Sequence, residues 1–99
     1  MSLAELKEIL AGPCARHPIK SMKVFGSVAR GESKVGSDLD LLVDFEEMPP
    51  AEYANHYFGL LHELQDVIGT KVDLLTPGSV TRPSLKRNIK EQGVVVYEA

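Results

Sequence analysis

A single cysteine, Cys14, is all the sulfhydryl chemistry the chain carries. No internal disulfide can form, which suits a reducing, cytoplasmic setting. No histidine stands at a telling distance from Cys14, which reads as a small buried or loop residue rather than a nucleophile. A basic excess is also missing. Eleven Lys and Arg against 14 Asp and Glu leave a formal net charge of −3, so direct nucleic-acid binding is not expected. No apolar run is long enough to span a bilayer, and the N-terminus lacks the basic-then-apolar pattern of a signal peptide, so no membrane association is expected. Internal repeats, low-complexity tracts and linkers are absent too. What remains is ordinary for a soluble globular protein. The 99 residues, 43% hydrophobic and 25% charged, suffice for one domain, 1–99, with a single modest core.

The chemistry concentrates between Gly26 and Phe45, GSVARGESKVGSDLDLLVDF. A short apolar run, Met22 to Phe25, leads into Gly26-Ser27. Ten residues then separate Ser27 from Asp38, and Asp38-Leu39-Asp40 opens a second apolar run. In an extended strand successive side chains point to opposite faces. Asp38 and Asp40 therefore share one face, and Leu39, Leu41, Val43 and Phe45 the other. Adjacent carboxylates repel unless a cation sits between them, and Mg²⁺ binds through such oxygens while leaving room for substrate phosphates. The Gly-Ser turn adds backbone N–H groups and a hydroxyl suited to phosphate. Each half has a bland reading: Gly-Ser as a plain turn with a helix cap, and Asp-Leu-Asp as the polar face of a half-exposed strand. Leu42 on the carboxylate face argues against simple solvation, and the two halves together point to a metal–nucleotide site.

Gly26-Ser27, ten residues, then Asp38-x-Asp40 resembles the signature of the DNA polymerase β-like nucleotidyltransferase superfamily. Gly26-Ser27-Val28-Ala29-Arg30-Gly31-Glu32 with Ser37-Asp38-Leu39-Asp40-Leu41 is similar to its minimal nucleotidyltransferase (MNT) branch. The likeness extends over nearly the whole chain.

In chain order, Ser2 and Glu5 have the form of a capping box. Leu3, Leu6, Ile9 and Leu10 predict a first helix ending before Gly12-Pro13, with His17 in a surface loop. A strand from about Lys20 to Phe25 feeds the Gly26-Ser27 turn, and Val28 to Gly31 forms one helical turn whose amides favour an anion. Arg30 either contacts phosphate or braces that turn, with bracing favoured. Ser37 either caps locally or donates to a phosphate oxygen. Asp44 follows on the carboxylate face of the second strand, Leu39 to Phe45. It lies ~13 Å beyond Asp40 at ~3.3 Å per residue, too far to share a metal. The longest helix, about Ala51 to Ile68, has Tyr53, Tyr57, Leu60, Leu61, Leu64, Val67 and Ile68 as its buried stripe, with His56 and His62 beside it and Gly69 as its stop. A third strand runs from Lys71 to Leu75. After Pro83 comes a short helix with Leu85 and Ile89 inward, closed by Gly93, and Val94 to Tyr97 is the last strand. Lys86 and Lys90, one turn apart with Arg82 and Arg87 nearby, suit a solvated face or an acidic partner.

The strand–helix–strand connection makes the second and third strands parallel neighbours or near-neighbours. Asp73, unusual in so short an apolar strand, then faces Asp40 and completes a three-carboxylate site, the place of the third carboxylate in the family pattern. The expected fold is α/β (α+β): a mixed four-stranded sheet with helices chiefly on one face and a polymerase β palm-like nucleotidyltransferase architecture. By two-metal logic, Asp38, Asp40 and Asp73 are expected to hold two Mg²⁺ ions ~3.5–4 Å apart. Gly26 and Ser27, with Arg30 and Ser37, are the expected nucleotide contacts. The resemblance implies ATP as substrate and, as partner, a helical HEPN-domain toxin that takes AMP on a hydroxyl side chain. Two other readings stay open: a non-catalytic module that masks its partner, and transfer to a small molecule such as an aminoglycoside.

Overall fold

The computed structural model describes residues 2–26, 28–31 and 38–99. Ser27 and Ser37, two of the expected phosphate contacts, lie outside the described residues, as do residues 32–36. The element order is α1 (Leu3–Ala15), β1 (Ile19–Phe25), β2 (Leu39–Phe45), α2 (Pro50–Ile68), β3 (Val72–Leu75), a 3-10 turn (Pro77–Ser79), α3 (Pro83–Gln92) and β4 (Val94–Glu98). Helix α1 begins as its capping pattern requires: the Glu5 amide donates to Ser2 Oγ at 3.1 Å. Its end differs from expectation, because the helix runs through Gly12-Pro13 to Ala15. A proline in the last turn removes one intrahelical hydrogen bond, whereas unwinding that turn would expose Pro13 and Cys14, both buried in the core. Helix α2 starts on Pro50, whose fixed φ suits the first helical position, and stops at Gly69, left-handed at φ +77°.

The sheet order is β3-β2-β1-β4, with β1 antiparallel to both neighbours and β2 parallel to β3. The mixed sheet and three helices form the α+β architecture anticipated above. Along β2 the alternation is regular: Leu39, Leu41, Val43 and Phe45 are buried. In β1 a bulge at Lys20 resets the phase, so Ile19 and Met22 reach the same core despite odd and even numbering. Those residues meet Leu6, Leu10 and Cys14 of α1 and Leu60 and Leu64 of α2 in the main core. Tyr53, Tyr57, Leu61 and Ile68 pack at its margin. Val67, expected in that stripe, is 48% exposed; it lies in the last turn, at the rim of the apolar arc.

Two of the three helices, α1 and α2, share the main-core face, and α3 covers part of the other. Phe25, Val80 and Ile89 form a second, smaller apolar cluster, joined by Leu42, Leu75 and Leu85. Leu42 and Leu75 alternate with the main-core residues of β2 and β3, so α3 lies on the face that carries Asp40 and Asp73.

Candidate active site

Parallel pairing of β2 with β3 sets Asp40 directly beside Asp73 in register. Asp38 stands one residue before β2, half exposed. Phe25 is the register partner of Asp40 on the other side, in β1, so the next residue, Gly26, turns over the carboxylate. Gly26 has φ +74°, and a Cβ there would collide with Asp40 Oδ2. Glycine is required twice over, for the backbone angle and for the space. The turn beyond it is helical, as expected: the Arg30 amide donates to the Gly26 carbonyl at 3.2 Å and the Gly31 amide to that of Val28 at 3.1 Å.

The carboxylates feel one another. The Asp40 carboxyl is raised above its ordinary value, first by removal from water, then by the charges of Asp73 and Asp38 and a hydrogen bond with Asp73; Arg30 pulls the other way. Arg30 Nη1 also donates to Gln92 Oε1 at 3.5 Å, a long bond that ties the Gly26 turn to the end of α3. The bracing role favoured for Arg30 thus has a contact, and its charge also acts on the site.

Three features escaped the sequence reading. Lys71 Nζ lies 3.8 Å from Asp38 Oδ2 and 3.9 Å from Asp73 Oδ1; both pairs are exposed and therefore weak. Lysine before an apolar run carries no distinguishing signal, and only the parallel register brings it between two carboxylates. Tyr57 donates its hydroxyl to the Leu74 carbonyl at 2.6 Å, fastening α2 to the edge strand that carries Asp73. The third is structural. His17, expected in a surface loop, has a side chain only 9% exposed. Its Nδ1 is 2.9 Å from His56 Nδ1, its Nε2 is 3.2 Å from Glu63 Oε1, and Arg16 pairs with the same Glu63 at 3.1 Å. This network knots α1 to α2 on the far side from the carboxylates. Cys14 is buried and its thiol is pushed up to about 12 by that burial, so it is inert, as anticipated.

A cleft of about 590 Å³ runs along β3, with Asp40 and Asp73 in its wall and Phe25, Leu61, Leu85 and Arg82 around them. Among the described residues no three acidic, histidine or cysteine side chains already form a closed cage for an ion. The donor set nevertheless fits a hard divalent cation. It is all carboxylate oxygen, it carries mutual repulsion at Asp40 that Arg30 offsets only in part, and it opens onto a cleft from which substrate oxygens could complete the coordination.

Residues 6–96 match the family model described as a nucleotidyltransferase domain. The protein adenylyltransferase MntA of Thermococcus cleftensis is 35% identical over 101 residues, covering 98% of this chain and 96% of that one. Among solved structures, the fold resembles a toxin–antitoxin with AMP-PNP (17% identical, TM-score 0.72, 94% of this chain and 73% of that chain). It also resembles the complex of a tri-AMPylated Shewanella oneidensis HEPN toxin with its MNT antitoxin (15% identical, TM-score 0.59, 98% and 70%). At such identities these two establish likeness of fold alone. The family match over nearly the full length, the relative's 35% identity and the Gly26–Asp40–Asp73 arrangement agree: the chain belongs to the nucleotidyltransferase family, in its minimal MNT branch, and is a nucleotidyltransferase.

Proposed function

We propose that this chain transfers AMP from ATP to a hydroxyl side chain of a HEPN-type toxin and silences the toxin by doing so. The observation that carries the reading is the in-register pairing of Asp40 with Asp73 beneath a glycine whose missing side chain leaves room at the carboxylate. The printed names of the T. cleftensis relative and the S. oneidensis complex support the choice of a protein acceptor. A tyrosine near the toxin's active site is the favoured acceptor.

Asp38, Asp40 and Asp73 hold Mg²⁺ in this reading. When bound, the metal supplies neutralisation of the triphosphate and a lowered pKa for the attacking hydroxyl. Gly26 lets the backbone approach the β- and γ-phosphates, and Ser27 and Ser37 donate to phosphate oxygens. Arg30 holds the turn and adds positive charge beside Asp40. The acceptor oxygen forms its bond to the α-phosphorus as the α–β P–O bond breaks and pyrophosphate leaves in line. Asp73 takes the hydroxyl proton. The AMP left behind adds negative charge, which repels RNA from the toxin's groove.

Mass spectrometry of the toxin after incubation with this chain, ATP and Mg²⁺ tests the proposal. The expected result is a mass gain of AMP that disappears with Asp38→Asn or without Mg²⁺. A toxin that is silenced yet unmodified would instead establish masking by binding alone.

A further inference from the structure

We propose that the pocket between β1 and α3 is a second ligand site, for a small phosphomonoester carrying an apolar body. The pocket holds about 290 Å³, the lower end of the range for small-molecule sites. Leu42, Val80 and Ile89 supply its apolar surface, and Lys23, Lys86 and Lys90 line it as well. Lys23 comes from the sheet and the other two from successive turns of α3, so two elements bring three like charges to one concavity.

Like charges that line one concavity favour an opposite charge between them. Among the described residues, no Asp or Glu oxygen lies within 4.0 Å of any of the three ammonium groups. Asp40 and Asp44 are the nearest carboxylates in register on this face, opposite Phe25 and Ser21 where Lys23 opposes Leu42, and neither makes an ion pair with the three lysines. In a chain of net charge −3, a local +3 is not a general basic surface. A phosphomonoester carries about −1.5 to −2 at neutral pH and accepts several hydrogen bonds, which suits compact ammonium donors. The apolar surface selects for an organic body on the phosphate.

The site is separate from the carboxylate cleft: the two share no lining residue. Both abut the cluster of Phe25, Val80 and Ile89, with Phe25 lining the cleft and Val80 and Ile89 the pocket.

The test is an amide NMR titration with phenyl phosphate in EDTA and without ATP, so that metal-dependent binding at the carboxylates cannot contribute. The expected result is saturable shifts at Lys23, Leu42, Val80 and Ile89, with inorganic phosphate, phenol and benzoate each about tenfold weaker or worse. Lys86→Gln with Lys90→Gln, on an exposed helix face, should weaken phenyl phosphate about tenfold with the melting temperature unchanged. Lys7→Gln on α1 should bind as wild type does. Shifts that do not saturate, equal responses to phenyl and inorganic phosphate, or shifts confined to Gly26, Asp40 and Asp73 would each overturn the proposal. So would wild-type affinity in the double variant, which would leave the lysines as solvated stems over apolar surface.

Discussion

Asp40 holds a carboxylate in surroundings that favour its neutral form, and this has a signed consequence for stability. Its folded pKa is raised, so the ionised group destabilises the fold. That penalty is absent below the unfolded-state value of about 4 and complete above the raised folded value. In metal-free buffer at neutral pH, Asp40→Asn should therefore melt at or above wild type, and the gap should close as pH falls toward about 4. Activity should vanish at all pH values. Thermal melts across that range, with and without Mg²⁺, check both parts. An Asp40→Asn protein melting far below wild type at neutral pH would make the carboxylate structural rather than functional.

Among the elements, β3 does most with least. It is four residues long, lies at the sheet edge, and carries Asp73. An edge strand this short leaves carbonyls to be satisfied elsewhere, and Tyr57 takes the one at Leu74. Tyr57→Phe keeps the ring and removes only that bond, so stability should fall by about 0.5–1.5 kcal/mol. Amide exchange in Val72–Leu75 should quicken, and turnover should drop because Asp73 rides on this strand. Unchanged exchange in β3 would show that sheet pairing alone holds it. The periodicity of α2 announced a buried face for Tyr57 but not this bond, since a hydroxyl finds its acceptor only when two distant elements dock.

Across the whole molecule, two apolar clusters on opposite sheet faces divide the work. The main core joins α1 and α2 to the sheet, while the small one seats α3 beside the Gly26 turn. Leu64→Ala, at a fully buried position, should lower stability by about 2–5 kcal/mol, roughly 4–8 °C in Tm for each kcal/mol. Its turnover below the new melting point should stay near wild type. Val80→Ala should lower Tm less and turnover more, because loosening α3 shifts Phe25, the residue before Gly26. Paired melting and turnover measurements on the two variants decide this. Activity losses that simply track stability would reduce the small cluster to ordinary packing.

Much of this was legible without coordinates because it is local. Alternation in Leu39–Phe45, the helical stripe through Leu60 and Leu64, the Ser2 cap and the Gly69 stop depend on neighbours within a few residues, and each is found where the pattern placed it. Asp38 and Asp40 stand out by their spacing from Gly26, and Asp73 by its place in a short apolar strand and in the family pattern. Only tertiary structure decided what lies between elements. The parallel register put Asp73 beside Asp40 and Lys71 between Asp38 and Asp73. Core burial carried α1 through Pro13, and the docking of α1 on α2 enclosed His17 with His56 and Glu63. Periodicity along a chain determines which face a side chain occupies; which distant residue stands opposite depends on register and docking, and these are set by the packing of the whole.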